Sequence, residues 1–167
     1  AYGTLFDVSA AARAAAREPG RERLAELWPE LSAIWRQRQL QYAFHRAITG
    51  DFVGFWRVTC DALDFAMESV GLGGDDALRD HLRALYRELG PYPEARAALE
   101  ALKAAGVRRA ILSNGSQDML GAAVDAAGFG DLLDAALSVD AARVFKPHPA
   151  VYDLVEARFP VASRAEV

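Results

Sequence analysis

The chain has 167 residues, 52% of them hydrophobic and 25% charged, which suits one globular domain and excludes an intrinsically disordered protein. Its formal net charge of −4 argues against nucleic acid or an anionic membrane surface as its main partner. The single cysteine, Cys60, cannot form an intramolecular disulfide bond, and no apolar run reaches the roughly 18 residues of a membrane span. We therefore expect a soluble protein of the cytoplasm with no nucleic-acid or membrane partner.

Both ends of the sequence read as parts of β-strands. Residues 1–8 resemble the end of a buried strand that enters a tight turn, and residues 165–167 resemble the beginning of another strand. Because natural domains seldom begin or end within a strand, we expect both chain ends to be truncated.

Residues 9–90 show a helical pattern almost throughout, which predicts an all-α unit of four helices. Ser9 is a candidate N-cap of the first helix, and Pro29 suits the first turn of a long second helix. Asp51 is expected to cap the third helix, and Asp75 or Asp76 is expected to begin the fourth.

After residue 91 the pattern changes to alternating helices and short apolar strands. Strands are predicted over 107–112 and 136–139, and helices over 95–105, from 117 to 127, and over 149–159. This alternation is typical of a parallel sheet covered by helices. The sequence thus predicts an α/β core from residues 1–8 and 91–167, with residues 9–90 inserted as a helical cap.

Three polar clusters follow the predicted strands, where parallel sheets bind their ligands. They are Tyr2-Gly3-Thr4, Ser113-Asn114-Gly115-Ser116 and Lys146-Pro147. Taken singly, the first is equally typical of a turn, the second is more typical of a helix N-cap with turn residues, and the third is more typical of a surface lysine. Together they indicate an anion site, at which a hydroxyl, an amide and an ammonium group meet helix N-terminal N–H groups. The histidines His45, His81 and His148 lack metal-ligand spacing, so no metal site is expected.

The chain resembles the haloacid dehalogenase superfamily in three segments, AYGTLFDV (1–8), ILSNGS (111–116) and VFKP (144–147). The segment IWRQRQLQY (34–42) is similar to the cap sequence of the L-2-haloacid dehalogenases, and Val151-Tyr152 fits the same family. This resemblance implies a Rossmann-like parallel-sheet core with a helical cap subdomain inserted after the first strand. It also implies a homodimer that needs no cofactor.

The reaction implied by the resemblance is hydrolysis of short L-2-haloalkanoic acids to D-2-hydroxy acids and halide. An aspartate expected immediately before Ala1 would displace the halide with inversion at C2, and water would hydrolyse the resulting aspartyl ester. The carboxylate that positions this water would follow Val167. Both groups lie outside the sequence.

The resemblance also implies roles for residues within the chain. Arg36 would face the departing halide, with Asn114 and Phe55 completing the halide cradle. Ser113 would bind the substrate carboxylate, and Tyr2 would line the pocket.

Three further residues are implied to serve the nucleophile. Lys146 would keep the aspartate ionised, Thr4 would hydrogen-bond it, and Tyr152 would orient Lys146.

Two other functions remain open at this point. A magnesium-dependent phosphatase or phosphonate hydrolase of the same superfamily would keep the fold, but most such phosphatases carry a second aspartate at the position of Tyr2. A tyrosine cannot replace a carboxylate in proton transfer, which disfavours this alternative. The other alternative is a binding module without catalysis.

Overall fold

The computed structural model describes residues 1–160, so the strand predicted to begin at 165–167 lies outside the described residues. Helices dominate the first 90 residues. They are α1 (Ala10–Ala15), α2 (Glu22–Thr49), α3 (Phe55–Ser69) and α4 (Asp76–Arg87). The predicted all-α character of this segment is confirmed.

The start of α2 differs from the prediction. The helix begins at Glu22, so Pro29 lies in its interior and not in its first turn. Proline has no N–H to donate to the carbonyl group of Ala25, four residues earlier. Both Ala25 and Pro29 are exposed, so water can hydrate that carbonyl group, and good helix formers on either side sustain the helix.

Of the three predicted helix caps, one is confirmed, one is confirmed in position only, and one is wrong. Ser9 occupies the N-cap position of α1, but its hydroxyl donates to Asp7 Oδ1 at 2.6 Å and forms no capping hydrogen bond. Asp51 forms an ion pair with Arg46, and Gly54 occupies the N-cap of α3. Asp75 does cap α4, since its Oδ1 accepts a hydrogen bond from the Leu78 N–H at 2.8 Å.

The cap interior is formed mainly where α2 packs against α3. One face of α3 is buried, and it carries Phe55, Leu63 and Met67 together with the hydroxyl-bearing Thr59. The Trp35 indole donates from Nε1 to the Thr59 carbonyl oxygen at 2.9 Å, which fixes the register of the two helices.

The second half of the described chain alternates helices with strands, as predicted. Its elements are α5 (Ala95–Ala104), β1 (Ala110–Ser113), α6 (Gln117–Ala126), β2 (Ala135–Ser138) and α7 (Pro149–Arg158). The strands β1 and β2 are parallel, with Ser113 opposite Ser138, and α7 packs against both. Their carboxyl ends, and the loops that follow, therefore lie at one edge of the sheet.

Residues 1–8 contain the predicted tight turn, at residues 3–5, but it is flanked by isolated β-bridges and not by a continuous strand. Tyr2 bridges Phe6 across the turn, and Phe6 bridges Pro91. The Asp7 N–H donates to the Gly90 carbonyl oxygen at 3.1 Å. These contacts bring the two ends of the helical segment side by side. None of the helices within residues 1–160 combines the length and the apolar character that a membrane-spanning helix requires.

Candidate active site

The N-terminal turn forms one wall of the candidate site. Gly3 has a φ of +78°, a conformation that glycine adopts without strain. This lets the N–H groups of Thr4 and Leu5 donate to the Ala1 carbonyl oxygen at 3.0 and 2.7 Å. Thr4 itself is exposed, and this backbone hydrogen bond is its link to the site.

Arg36 reaches this turn from α2. Its Nη2 donates to the Tyr2 carbonyl oxygen at 2.9 Å, and its Nη1 donates to Gln39 Oε1 at 2.8 Å. A Cβ atom added at Gly3 would lie 3.2 Å from Arg36 Nη2, so the missing side chain leaves the space that the guanidinium group occupies. The guanidinium group of Arg36, a cap residue, therefore places a positive charge beside the first residues of the core.

Aromatic rings enclose the site on its apolar side. The Tyr2 ring centre lies 6.2 Å from that of Phe55 and 6.0 Å from that of Tyr86. Phe55 in turn lies 6.2 Å from Phe145, the residue before Lys146. Burial, and then the neighbouring Tyr86, raise the pKa of the Tyr2 hydroxyl, so Tyr2 is a neutral wall of the site.

The loop after β1 forms the opposite wall. Ser113 is buried, and its Oγ accepts a hydrogen bond from the Gly115 N–H at 3.1 Å. The Ser138 hydroxyl, at the end of β2, donates to the Gly115 carbonyl oxygen at 2.7 Å. A Cβ atom at Gly115 would lie only 2.7 Å from the Tyr2 ring, so glycine allows the two walls to meet.

Lys146 lies against the same loop. Its backbone N–H donates to Asn114 Oδ1 at 3.0 Å, and its ammonium group donates to the Leu112 carbonyl oxygen. Burial lowers the pKa of the Lys146 ammonium group. A half-buried ammonium group whose acceptor within residues 1–160 is one neutral carbonyl group favours an anionic partner.

Two positive charges act at Ala1: Lys146 supplies one from the core, and Arg36 supplies the other from the cap. A negative charge placed there would be stabilised by both.

The structure brings together six of the residues predicted for the site: Tyr2, Arg36, Phe55, Ser113, Asn114 and Lys146. It does not bring Tyr152 to Lys146, as their predicted pairing requires. Tyr152 is 42% exposed on α7, and its hydroxyl forms no hydrogen bond within residues 1–160, whereas the Lys146 ammonium group donates to Leu112. Thr4 is adjacent to the site through its backbone only.

Sequence reasoning missed Gln39, Tyr86 and Ser138, which contact predicted site residues or hold their loop. Gln39 could have been found, because it lies in the cap segment 34–42 and a glutamine on the buried side of a helix needs partners. Tyr86 and Ser138 carry no comparable signal, since one ends an ordinary amphipathic helix and the other ends a strand.

A cavity of about 360 Å³ opens beside Tyr2 between the cap and the N-terminus of α6. Its lining includes Trp56, Arg87, Ser116 and Met119. The Arg87 guanidinium group lies 4.3 Å from the centre of the Trp56 ring, so its charge borders the opening. No group of three or more His, Cys, Asp or Glu side chains within residues 1–160 could hold a metal ion.

This geometry accompanies a family match over the whole chain. The model of the haloacid dehalogenase-like hydrolases matches residues 1–167, and the chain belongs to this family. Two curated relatives are similar to it: (S)-2-haloacid dehalogenase 1 of Pseudomonas sp. (strain CBS-3), and the (S)-2-haloacid dehalogenase of Xanthobacter autotrophicus. The first is 45% identical over 161 residues, which are 96% of this chain and 69% of the relative. The second is 46% identical over 157 residues, which are 93% of this chain and 59% of the relative.

Solved structures agree with the sequence relatives. The L-2-haloacid dehalogenase of Xanthobacter autotrophicus is 47% identical, with a TM-score of 0.80 over 96% of this chain and 63% of that one. The same protein with chloropropionic acid covalently bound gives a TM-score of 0.79 at the same identity and coverage. The Rossmann-like core with a helical cap is therefore confirmed as the fold, and the chain spans 59% to 69% of the length of these relatives.

Proposed function

We propose that the protein carrying this chain hydrolyses short L-2-haloalkanoic acids to D-2-hydroxy acids and halide through an aspartyl ester. The observation that carries the proposal is that the positive charges of Arg36 and Lys146 both act at Ala1, in a site enclosed by aromatic rings. The (S)-2-haloacid dehalogenases that resemble the chain, one of them with chloropropionic acid covalently bound, support it.

The nucleophile in this proposal is an aspartate that directly precedes Ala1. Lys146 and Arg36 create a positive potential at that position, which would keep a carboxylate ionised at neutral pH. The aspartate would attack C2 of the substrate from the side opposite the halogen, forming a C–O bond as the C–halogen bond breaks. Water would then add to the carbonyl carbon of the aspartyl ester, releasing the hydroxy acid and restoring the carboxylate.

Arg36 would stabilise the halide as it departs. Its guanidinium group is held at two nitrogens, so its charge is in place before the reaction begins. Phe55 and Asn114 would border the halide, and the Ser113 hydroxyl would bind the substrate carboxylate. Tyr2, which is buried and neutral, would exclude water from the reacting carbon.

The test is halide release from L- and D-2-chloropropanoate by full-length protein, in the presence of a chelator. We expect release from the L form only, with the D-hydroxy acid as product. Mass spectrometry of a single turnover in ¹⁸O water should place the heavy oxygen in the protein, because water attacks the ester at the enzyme carbonyl.

The dehalogenase proposal would be contradicted if the protein, shown by its mass to contain the aspartate, released halide from neither form. Hydrolysis of a phosphate ester that depends on Mg²⁺ would then favour the phosphatase alternative.

We further propose that the enzyme is a cytoplasmic homodimer and that α2 contributes to its interface. Phe44 and Ile48 lie one turn apart on this helix and are 44% and 83% exposed. Light scattering should give twice the monomer mass for the wild type and the monomer mass for Ile48→Glu. Leu102→Glu, at an exposed apolar position on α5, is the matched control and should remain dimeric.

A further inference from the structure

A buried glutamine connects three cap helices to Arg36. Gln39 of α2 is 1% exposed, and its Nε2 donates to Thr59 Oγ1 of α3 at 2.7 Å and to the Tyr86 hydroxyl of α4 at 3.0 Å. Its Oε1 accepts from Arg36 Nη1 at 2.8 Å. Both the nitrogen and the oxygen of the amide group therefore form hydrogen bonds, and only the oxygen faces the site.

The orientation of this amide group is determined by its neighbours. The Thr59 hydroxyl donates its one proton to the Phe55 carbonyl oxygen at 2.9 Å, so towards Gln39 it can only accept. The NH₂ end of Gln39 must therefore face Thr59, which turns the oxygen towards Arg36. The Thr59 hydroxyl group on α3 therefore determines that the amide oxygen of Gln39, and not its NH₂ group, faces Arg36.

We propose that Gln39 is a positioning residue that holds the Arg36 guanidinium group in place for halide departure. This inference rests on the proposed function. Arg36 has two anchors, the Tyr2 carbonyl oxygen and Gln39 Oε1, and without Gln39 it keeps only one. A single anchor lets the guanidinium group swing about that hydrogen bond, so its charge is no longer fixed where the halide forms. Gln39 touches Arg36 and the cap interior, and acts on the reaction through Arg36.

A purely structural role would have different consequences. If Gln39 only filled the cap interior, its removal would lower stability and would affect all substrates equally. A role in holding Arg36 predicts a larger loss for a poor leaving group, because chloride depends more on stabilisation in the transition state than bromide does.

The experiment uses full-length protein with Gln39→Met, which keeps the side-chain length and removes the amide. We expect kcat for L-2-chloropropanoate to fall about ten- to hundredfold, as for the loss of one hydrogen bond to a charged group. The fall for L-2-bromopropanoate should be smaller by about threefold or more, and KM should change less than kcat. Gln41→Met is the matched control, since Gln41 Oε1 accepts from Arg38 Nη1 at 2.6 Å on the same helix. It should leave both rates unchanged.

A second measurement does not depend on turnover. The side-chain ¹⁵N signals of Arg36 should show slow rotation of the guanidinium group in the wild type and faster rotation in Gln39→Met. If Gln39→Met does not fold, Thr59→Val replaces it, because this change removes the hydroxyl group that orients the amide. It should give a smaller loss with the same preference for bromide.

Each result has one meaning. Unchanged rates and unchanged rotation in Gln39→Met, or equal losses on the two substrates, would overturn the positioning role. If the wild type itself releases no halide, the proposed function fails. The rotation of Arg36 alone then supports the inference or overturns it.

Discussion

Arg36→Lys tests whether the shape of the Arg36 side chain matters in addition to its charge. The guanidinium group places two nitrogens at two acceptors, 2.8 Å from Gln39 Oε1 and 2.9 Å from the Tyr2 carbonyl oxygen. A lysine keeps the charge but has a single nitrogen, which cannot occupy both positions. The substitution therefore removes one hydrogen bond of a charged group.

The expected magnitude follows from that count. One hydrogen bond to a charged group contributes about 1.5–3 kcal/mol, which corresponds to a fall of about ten- to 150-fold in kcat. Arg36→Met removes the charge as well and should lower kcat by about a thousandfold. Thermal unfolding should change little in Arg36→Lys, because the core of the cap is untouched.

The assay is initial-rate halide release from L-2-chloropropanoate by full-length protein. Arg38→Lys is the control, since Arg38 lies on the same helix, donates to Gln41 and covers the Phe65 ring at 4.0 Å. It should keep full activity. An Arg36→Lys variant within threefold of the wild type would refute the argument, because charge alone would then suffice.

Two further substitutions test the close contact at Gly115 and the pH dependence of folding stability at Asp7. Gly115→Ala should lower the melting temperature, because its Cβ would lie 2.7 Å from the Tyr2 ring. Gly121→Ala, in open space on α6, should raise stability by about 0.5–1 kcal/mol, and equal effects of the two would contradict the close contact. Burial acts to raise the pKa of Asp7, but hydrogen bonds from Ser9 and Arg13 outweigh burial and lower that pKa. The ionised carboxylate therefore stabilises the fold above about pH 4, and this stabilisation is lost as the pH falls further. The difference in melting temperature between wild type and Asp7→Asn should therefore shrink from pH 7 to pH 3, and a difference that stays constant over this range would contradict the argument.

The order of helices and strands could be predicted because the apolar spacing is regular. The buried face of α3 and the pairing of β1 with β2 both follow from that spacing. The caps were harder, because Ser9 and Asp51 each have a competing partner. Asp7 takes the Ser9 hydroxyl and Arg46 takes Asp51, and both partners are as close in sequence as the predicted helix ends.

The residues of the candidate site also fall into two groups, those that the sequence could predict and those that it could not. Residues in recognisable segments, such as Arg36, Ser113 and Lys146, could be predicted, because strand ends and the cap sequence mark them. Gln39 and Tyr86 contribute through hydrogen bonds between helices. Gln39 bonds to Thr59, 20 residues away in sequence, and to Tyr86, 47 residues away. Apolar periodicity records which face of a helix is buried, and it does not record which polar group meets which across that face.

The backbone pairing of Phe6 with Pro91 gives the cap the character of a replaceable module. The chain leaves and re-enters the core at neighbouring points, joined by hydrogen bonds of 3.1 Å from Asp7 to Gly90 and 2.8 Å from Tyr92 to Leu5. A two-residue turn of the Asn-Gly kind can close a gap of that size. We therefore expect that caps of other lengths can be grafted between these positions without altering the path of the core. Because Arg36 and Phe55 belong to the cap, such a graft replaces one side of the candidate site and keeps the side that the core forms.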